Sequence, residues 1–229
     1  FQQSKRRRYR SKLTLASLVL TEALKVLKKD SVKGKYCKDP NKPTSFDLAA
    51  AQLRNISGLI LLRRKRLVEA MYRFEAALKC NNDFVEAHMN RAAIALGFRG
   101  YWIAHTSFTQ VLKLQPKNLD ATIGLGVAYR GIATDPDPRG RKKQRDEWYK
   151  LAIAQYKKAL QINPAATDAI YNLGHLYMDY MNNVNEAEKW YKQYLGKPKS
   201  QTARAARKEA KDQLAEIAYQ RAMIEKMKK

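Results

Sequence analysis

Three histidines, two cysteines and scattered carboxylates are the groups with which this chain could do metal or covalent chemistry. His88, His105 and His175 stand 17 and 70 residues apart, and neither interval is that of a ligand pair. Cys37 and Cys80 are 43 apart with no CxxC between them, so no zinc site is implied. Buried or idle thiols are the expected state, with a single disulfide as the alternative, and the redox compartment stays open. Asp168 and Asp179 lack a partner carboxylate at a telling spacing. No GxGxxG, P-loop or nucleophile–base set is present. These residues point away from an enzyme, and no metal or cofactor is implied.

Positive charge is abundant instead. Lys and Arg number 45 against 21 Asp and Glu, a formal net charge of +24. Such a charge attracts acidic protein, nucleic acid or anionic lipid without choosing among them. It is concentrated in Arg6-Arg-Arg-Tyr-Arg10, in Arg63-Arg64-Lys65-Arg66, and in Arg139, Arg141, Lys142, Lys143 and Arg145. A nucleic-acid-binding or ribonucleoprotein-associated role is therefore the second functional class.

The elements that position these residues come from the hydrophobic pattern. A 45% hydrophobic content with seven prolines and ten glycines describes a folded chain. No apolar run approaches the roughly 20 residues of a transmembrane helix. The basic and apolar stretches over 6–20 mimic a signal peptide, but 21–28 continue as an amphipathic helix without a cleavage site, which reads as part of the fold. Phe1 stands where a start methionine would, which implies further chain upstream.

A period of 34 organises the rest. Thr122-Ile-Gly-Leu-Gly-Val-Ala-Tyr129 is echoed by Ile170-Tyr-Asn-Leu-Gly-His-Leu-Tyr177. An Ala-x3-aromatic-x2-Ala/Val/Tyr pattern recurs at Ala70/Phe74/Ala77, Ala104/Phe108/Val111, Ala152/Tyr156/Ala159 and Ala187/Tyr191/Tyr194. Gly58, Ala92, Gly126 and Gly174 supply a small residue midway along each first helix, while Pro116 and Pro164 close two of the second helices. These motifs resemble the tetratricopeptide repeat (TPR) family over roughly 51–201. The resemblance implies an all-α, right-handed solenoid of helix–turn–helix repeats with capping helices at both ends.

The registers are 51–84, 85–118, 119–166 and 167–201. The third is 14 residues too long, and removing 134–147 (TDPDPRGRKKQRDE) restores the period. That stretch is an insertion in the turn between the two helices of its repeat, with the second helix expected to resume near Trp148. Its two Asp-Pro steps disfavour helix, and its net charge is only +1. Residues 1–50 read as a basic helix (12–29, half a degenerate repeat) and a breaker-rich loop (31–45). Residues 202–229 read as a polar-backed capping helix with Ala206, Ala210, Leu214, Ile217 and Ile224 near one face. Ser57 and Arg91 replace the usual large apolar residue before the small one, so looser packing of the second repeat's first helix is expected. Asn82 replaces the closing proline of the first repeat.

In the TPR family the first helix of each repeat lines a concave groove. Carried over residue by residue, the groove positions are Asn55, Leu59 and Leu62; Met89, Asn90 and Ala93; Ile123, Val127 and Arg130; and Tyr171, Asn172, His175 and Met178. This apolar set with a few amides suits a protein partner bound as an extended segment or helix; packing between helices, or against the C-terminal helix, competes for the same residues. The carboxylate clamp of chaperone-binding TPR proteins would fall on Asn55, Leu59, Asn90, Asp120 and Gly124, of which only Asn90 matches. The turns inside the repeats carry ten Lys or Arg against five Asp or Glu. Arg63–Arg66 and the 139–145 cluster are thus expected on one basic edge facing an anionic partner, with a solvated rim as the plain alternative. The resemblance implies a non-catalytic interaction scaffold within a larger assembly, in the cytoplasm or a bacterial envelope. Asn172-Leu-Gly-His-Leu-Tyr-Met-Asp179 is loosely similar to TPR lipoproteins of bacterial envelopes, including gliding-motility machinery, and a lipoprotein signal upstream would fit that placement.

Overall fold

The computed structural model describes residues 37–134 and 142–227, with Thr14, Leu18, Thr21, Glu22, Ala23 and Lys25 of the N-terminal segment; at 142–144 it describes the backbone alone. Those six residues are helical, and the remainder of the expected 12–29 helix lies outside the described residues. The chain forms two compact units, Phe1–Pro116 and Lys117–Lys229. No strand occurs among the described residues, and the fold class is that of a TPR α-solenoid.

The first unit contains two helical hairpins, α1 (Ser45–Arg63) with α2 (Leu67–Leu78) and α3 (Val85–Gly97) with α4 (Tyr101–Leu114). Helix α1 begins at Ser45, ahead of the repeat boundary drawn at 51, because Thr44 and Asp47 form a capping box. Thr44 Oγ1 accepts from the Asp47 amide, while the Thr44 amide donates to Asp47 Oδ2 at 2.9 Å. Asp47 also accepts the Cys37 amide. Burial pushes the Asp47 carboxyl up, but the Cys37 and Thr44 amides, the Thr44 hydroxyl and Arg54 outweigh it and hold the group below its usual value.

Each hairpin closes by fitting a ring against a small residue. A Cβ on Gly58 would lie 2.5 Å from Phe74 Cε1, so only glycine lets α1 and α2 approach this closely. Ala92 fills the corresponding place in the second hairpin and is fully buried. Arg91 does not loosen that hairpin as expected: its Nε donates to the buried Ser107 hydroxyl at 2.9 Å, so α3 and α4 are bridged by a satisfied polar pair.

The two cysteines are not idle. Cys37 and Cys80 are joined as a disulfide, which fixes the loop before α1 to the end of α2. Asn82 completes that attachment, its amide donating to Pro40 O at 2.8 Å and its side chain to Asn41 at 3.3 Å. The residue that replaces the closing proline thus ties the turn after α2 to the preceding loop.

The second unit pairs α5 (Leu119–Thr134) with α6 (Lys142–Ile162) and α7 (Thr167–Asp179) with α8 (Val184–Leu195), and lays α9 (Arg204–Met227) against α8. Helix α6 starts at Lys142, six residues before the expected Trp148. Lys-Lys-Gln-Arg-Asp-Glu contains no breaker after Gly140, and its residues propagate helix readily. The core of this unit is Tyr156 and Tyr191 with alanines at Ala152, Ala159, Ala169 and Ala187, all fully buried. Along α9, Ala210 and Ile217 are buried and Ala206 and Leu214 pack on the cluster around Ala210, whereas Ile224 is 54% exposed, so the buried apolar face ends at Ile217. Arg221 continues the contact by charge, pairing with Glu188 at 2.6 Å. No helix among the described residues is long and apolar enough to cross a membrane.

Candidate functional site

In the first unit the groove residues stand on α1 and α3. Asn55 is buried, and Asn90 Nδ2 donates to Asn55 Oδ1 at 3.1 Å, so the two amides 35 positions apart satisfy each other. Leu59 lies one turn along from Asn55 and is 37% exposed; Ala93 is likewise exposed one turn from Asn90. Met89 is half-buried, while Leu62 packs against Ala70, Phe74 and Ile94 and belongs to the hairpin's interior. The sequence reading missed Ile56, 45% exposed beside the amide pair. Its signal was present, since Ile56 stands 34 positions before Asn90. Together these residues present apolar side chains around a satisfied amide pair.

In the second unit packing claims more of the set. Ile123 and Val127 pack against the core around Tyr156 and Leu173. Tyr171 and Met178 pack on the cluster of Ile170, Tyr191, Tyr194 and Ala210. Burial pushes the Tyr171 hydroxyl well up, and a hydrogen bond to Glu209 of α9 pushes it further, so the C-terminal helix reaches this residue. The polar members remain: Arg130 Nη1 donates to Asn172 Oδ1 at 3.1 Å, and Asn172 Nδ2 donates to Asp168 O at 2.8 Å. His175 pairs with Asp179 one turn along α7.

Of the basic positions, Arg63, Arg64, Lys65 and Arg66 form the exposed turn between α1 and α2. Arg145 is exposed on the first turns of α6, Lys142 and Lys143 open that helix, and Arg139 and Arg141 lie outside the described residues. Lys65 adopts φ 61°, and Arg99, 34 positions later, adopts φ 59°. Each ends its helix with a six-to-one bond, Arg66 N to Leu61 O at 2.9 Å and Gly100 N to Ala95 O at 2.7 Å.

A family model described as TPR repeat matches residues 148–179, which span most of α6 and all of α7. No curated protein matches the chain. A thermophilic TPR protein of Thermus thermophilus superposes with a TM-score of 0.56 at 22% identity, covering 75% of this chain and 82% of that one. MamA of Desulfovibrio magneticus, from its residue 41 onward, gives a TM-score of 0.55 at 20% identity, covering 67% and 78%. With helix pairs closed on small residues and a TPR-repeat match over 148–179, the chain shares the fold of tetratricopeptide-repeat proteins.

Proposed function

We propose that this protein is an interaction scaffold whose first unit receives an extended protein segment on the α1–α3 face. The observation that carries the reading is the exposed strip of Ile56, Leu59 and Ala93 around the Asn55–Asn90 pair. Apolar side chains of a partner would cover the strip, and the second amide hydrogen and lone pair of each asparagine would fix its backbone. The basic turn Arg63–Arg66 adds attraction for an acidic partner.

Panning a random-peptide library on the full chain tests this. Selected peptides are expected to lose tenfold or more in affinity to the Leu59→Glu and Asn90→Ala variants, and to bind Trp102→Ala unchanged. Equal binding to Leu59→Glu overturns the assignment.

The Cys37–Cys80 bridge supports an oxidising compartment, since cytosolic thiols are held reduced. A bacterial envelope assembly, the narrower reading of the 172–179 motif, is such a place. Maleimide labelling of the denatured native protein is expected to modify neither cysteine before reduction and both after it. Labelling of both without reductant removes the support.

A further inference from the structure

The Cys37–Cys80 bridge has two unlike ends. Cys80 is 1% exposed, just past the end of α2, and belongs to the core cluster of Ala50, Ala51, Ala77 and Ala87. Cys37 is half-buried in the loop before α1. Packing therefore keeps a thiol in solution from the Cys80 sulfur and leaves the Cys37 sulfur as the one within reach.

The charges around the two sulfurs differ as well. Arg54 on α1 is half-buried, and its Nη1 lies 2.7 Å from Cys80 Sγ and 3.5 Å from Cys37 Sγ. Burial and the neighbouring Arg73 pull this guanidinium below its ordinary pKa while Asp47 opposes them, yet an arginine stays protonated throughout the physiological range. Asp47 is the carboxylate that accepts the Cys37 amide, so the acid stands on the Cys37 side of the bridge and the cation on the Cys80 side. The C-terminal end of α2 disfavours an anion at Cys80. That end carries only about half an elementary charge, spread over the last turn, against a full charge in contact with the sulfur, so the guanidinium prevails.

We propose that the bridge is a thiol-exchange site, at which a small thiol of the glutathione class attacks Cys37 and Cys80 departs as a thiolate held by Arg54. The attacking thiolate forms a new S–S bond to Cys37 Sγ. The bond between Cys37 and Cys80 breaks, and its electron pair stays on Cys80 Sγ. No net oxidation occurs in this step, and return of the Cys80 thiolate to Cys37 expels the small thiol and restores the bridge. A second small thiolate, attacking the added sulfur, instead releases Cys37 as a thiolate and carries away the small disulfide, so two thiols are oxidised for one bridge reduced. Exchange is faster when the leaving sulfur is the more stable thiolate, and the Arg54 contact strengthens as charge gathers on Cys80. Exchange uncouples Cys37 from the end of α2 and leaves the Asn82 contacts to hold the loop.

The test starts from full chain in which neither cysteine reacts with maleimide, when denatured, before reduction, so a missing bridge and a failed exchange are told apart. The native protein is incubated in millimolar glutathione, quenched with excess N-ethylmaleimide and mapped by mass spectrometry. The glutathione adduct is expected on Cys37 and the maleimide on Cys80. Bridge opening by excess dithiothreitol is expected to slow on the order of tenfold in Arg54→Gln, while Arg54→Lys, which keeps the charge, stays within about threefold of the native rate. A residue that merely packed the bridge would act in the opposite direction, since its loss would expose the sulfurs and speed the reaction. If Arg54→Gln fails to form the bridge, or its helices by circular dichroism, the position of the adduct in the native chain decides alone. An adduct on Cys80 or on neither cysteine, an Arg54→Gln rate equal to or above the native one, or Arg54→Lys as slow as Arg54→Gln overturns the proposal.

Discussion

Gly126 on α5 lies against Tyr156 on α6 so closely that an added Cβ would sit 2.5 Å from Tyr156 Cε1. The ring is fully buried and has no room to retreat. Helix propensity favours alanine over glycine by about 1 kcal/mol, whereas forcing a methyl into a packed interior costs about 1–3 kcal/mol. The packing term prevails, and Gly126→Ala is expected to lower stability by up to about 2 kcal/mol in denaturant titration. An unchanged midpoint would show that the helices can part without loss. Such glycines were legible in the sequence because the ring and the small residue that receives it both recur at the repeat period. The Arg91–Ser107 bridge was not. Arg91 stood out as replacing an apolar residue, but the serine hydroxyl that satisfies it lies on another helix.

Helix ends, at the next scale, obey the same period with less obvious residues. Lys65 and Arg99 occupy the left-handed region at φ 61° and 59°, where a side chain with a Cβ costs about 1–2 kcal/mol relative to glycine. Lys65→Gly and Arg99→Gly should each stabilise the chain by about 1 kcal/mol, read as a rise in the denaturant midpoint at unchanged slope. A loss of stability in either would mean that the basic side chain contributes more to the fold than its backbone strain removes. Most helices were visible in the sequence, since periodic apolar positions and prolines bound them. The start of α6 was misplaced because the register identifies which residues are extra but not their conformation. That is decided by local propensity, and Lys142 onward is a helix-forming run. The groove was legible as a set of positions. How it divides between Leu59, exposed, and Tyr171, covered by α9, depends on where the terminal helix packs, which the period does not encode.

At the scale of the molecule, the contact least legible in the sequence is the Cys37–Cys80 bridge, because nothing in a spacing of 43 distinguishes a pair from two idle thiols. It closes a loop that contains α1 and α2. By loop-closure entropy a cross-link of this length stabilises the folded state by about 4 kcal/mol. Reduction, or Cys37→Ser with Cys80→Ser, is expected to lower the unfolding free energy by roughly 2–4 kcal/mol by the same mechanism, monitored by helical circular dichroism. A change below about 1 kcal/mol would mean that the Asn82 contacts and the capping box hold the loop unaided.

The turn Arg63–Arg66 lies inside that covalent ring, and its run of basic residues is the kind of sequence that trypsin-like proteases cleave. A cut there would divide the backbone without releasing either piece. The two halves of the first hairpin would stay tethered through sulfur, migrate as one species until reduced, and remain free to hold their packing against each other. The feature that braces the fold therefore also makes this cleavable turn one whose scission the scaffold can survive.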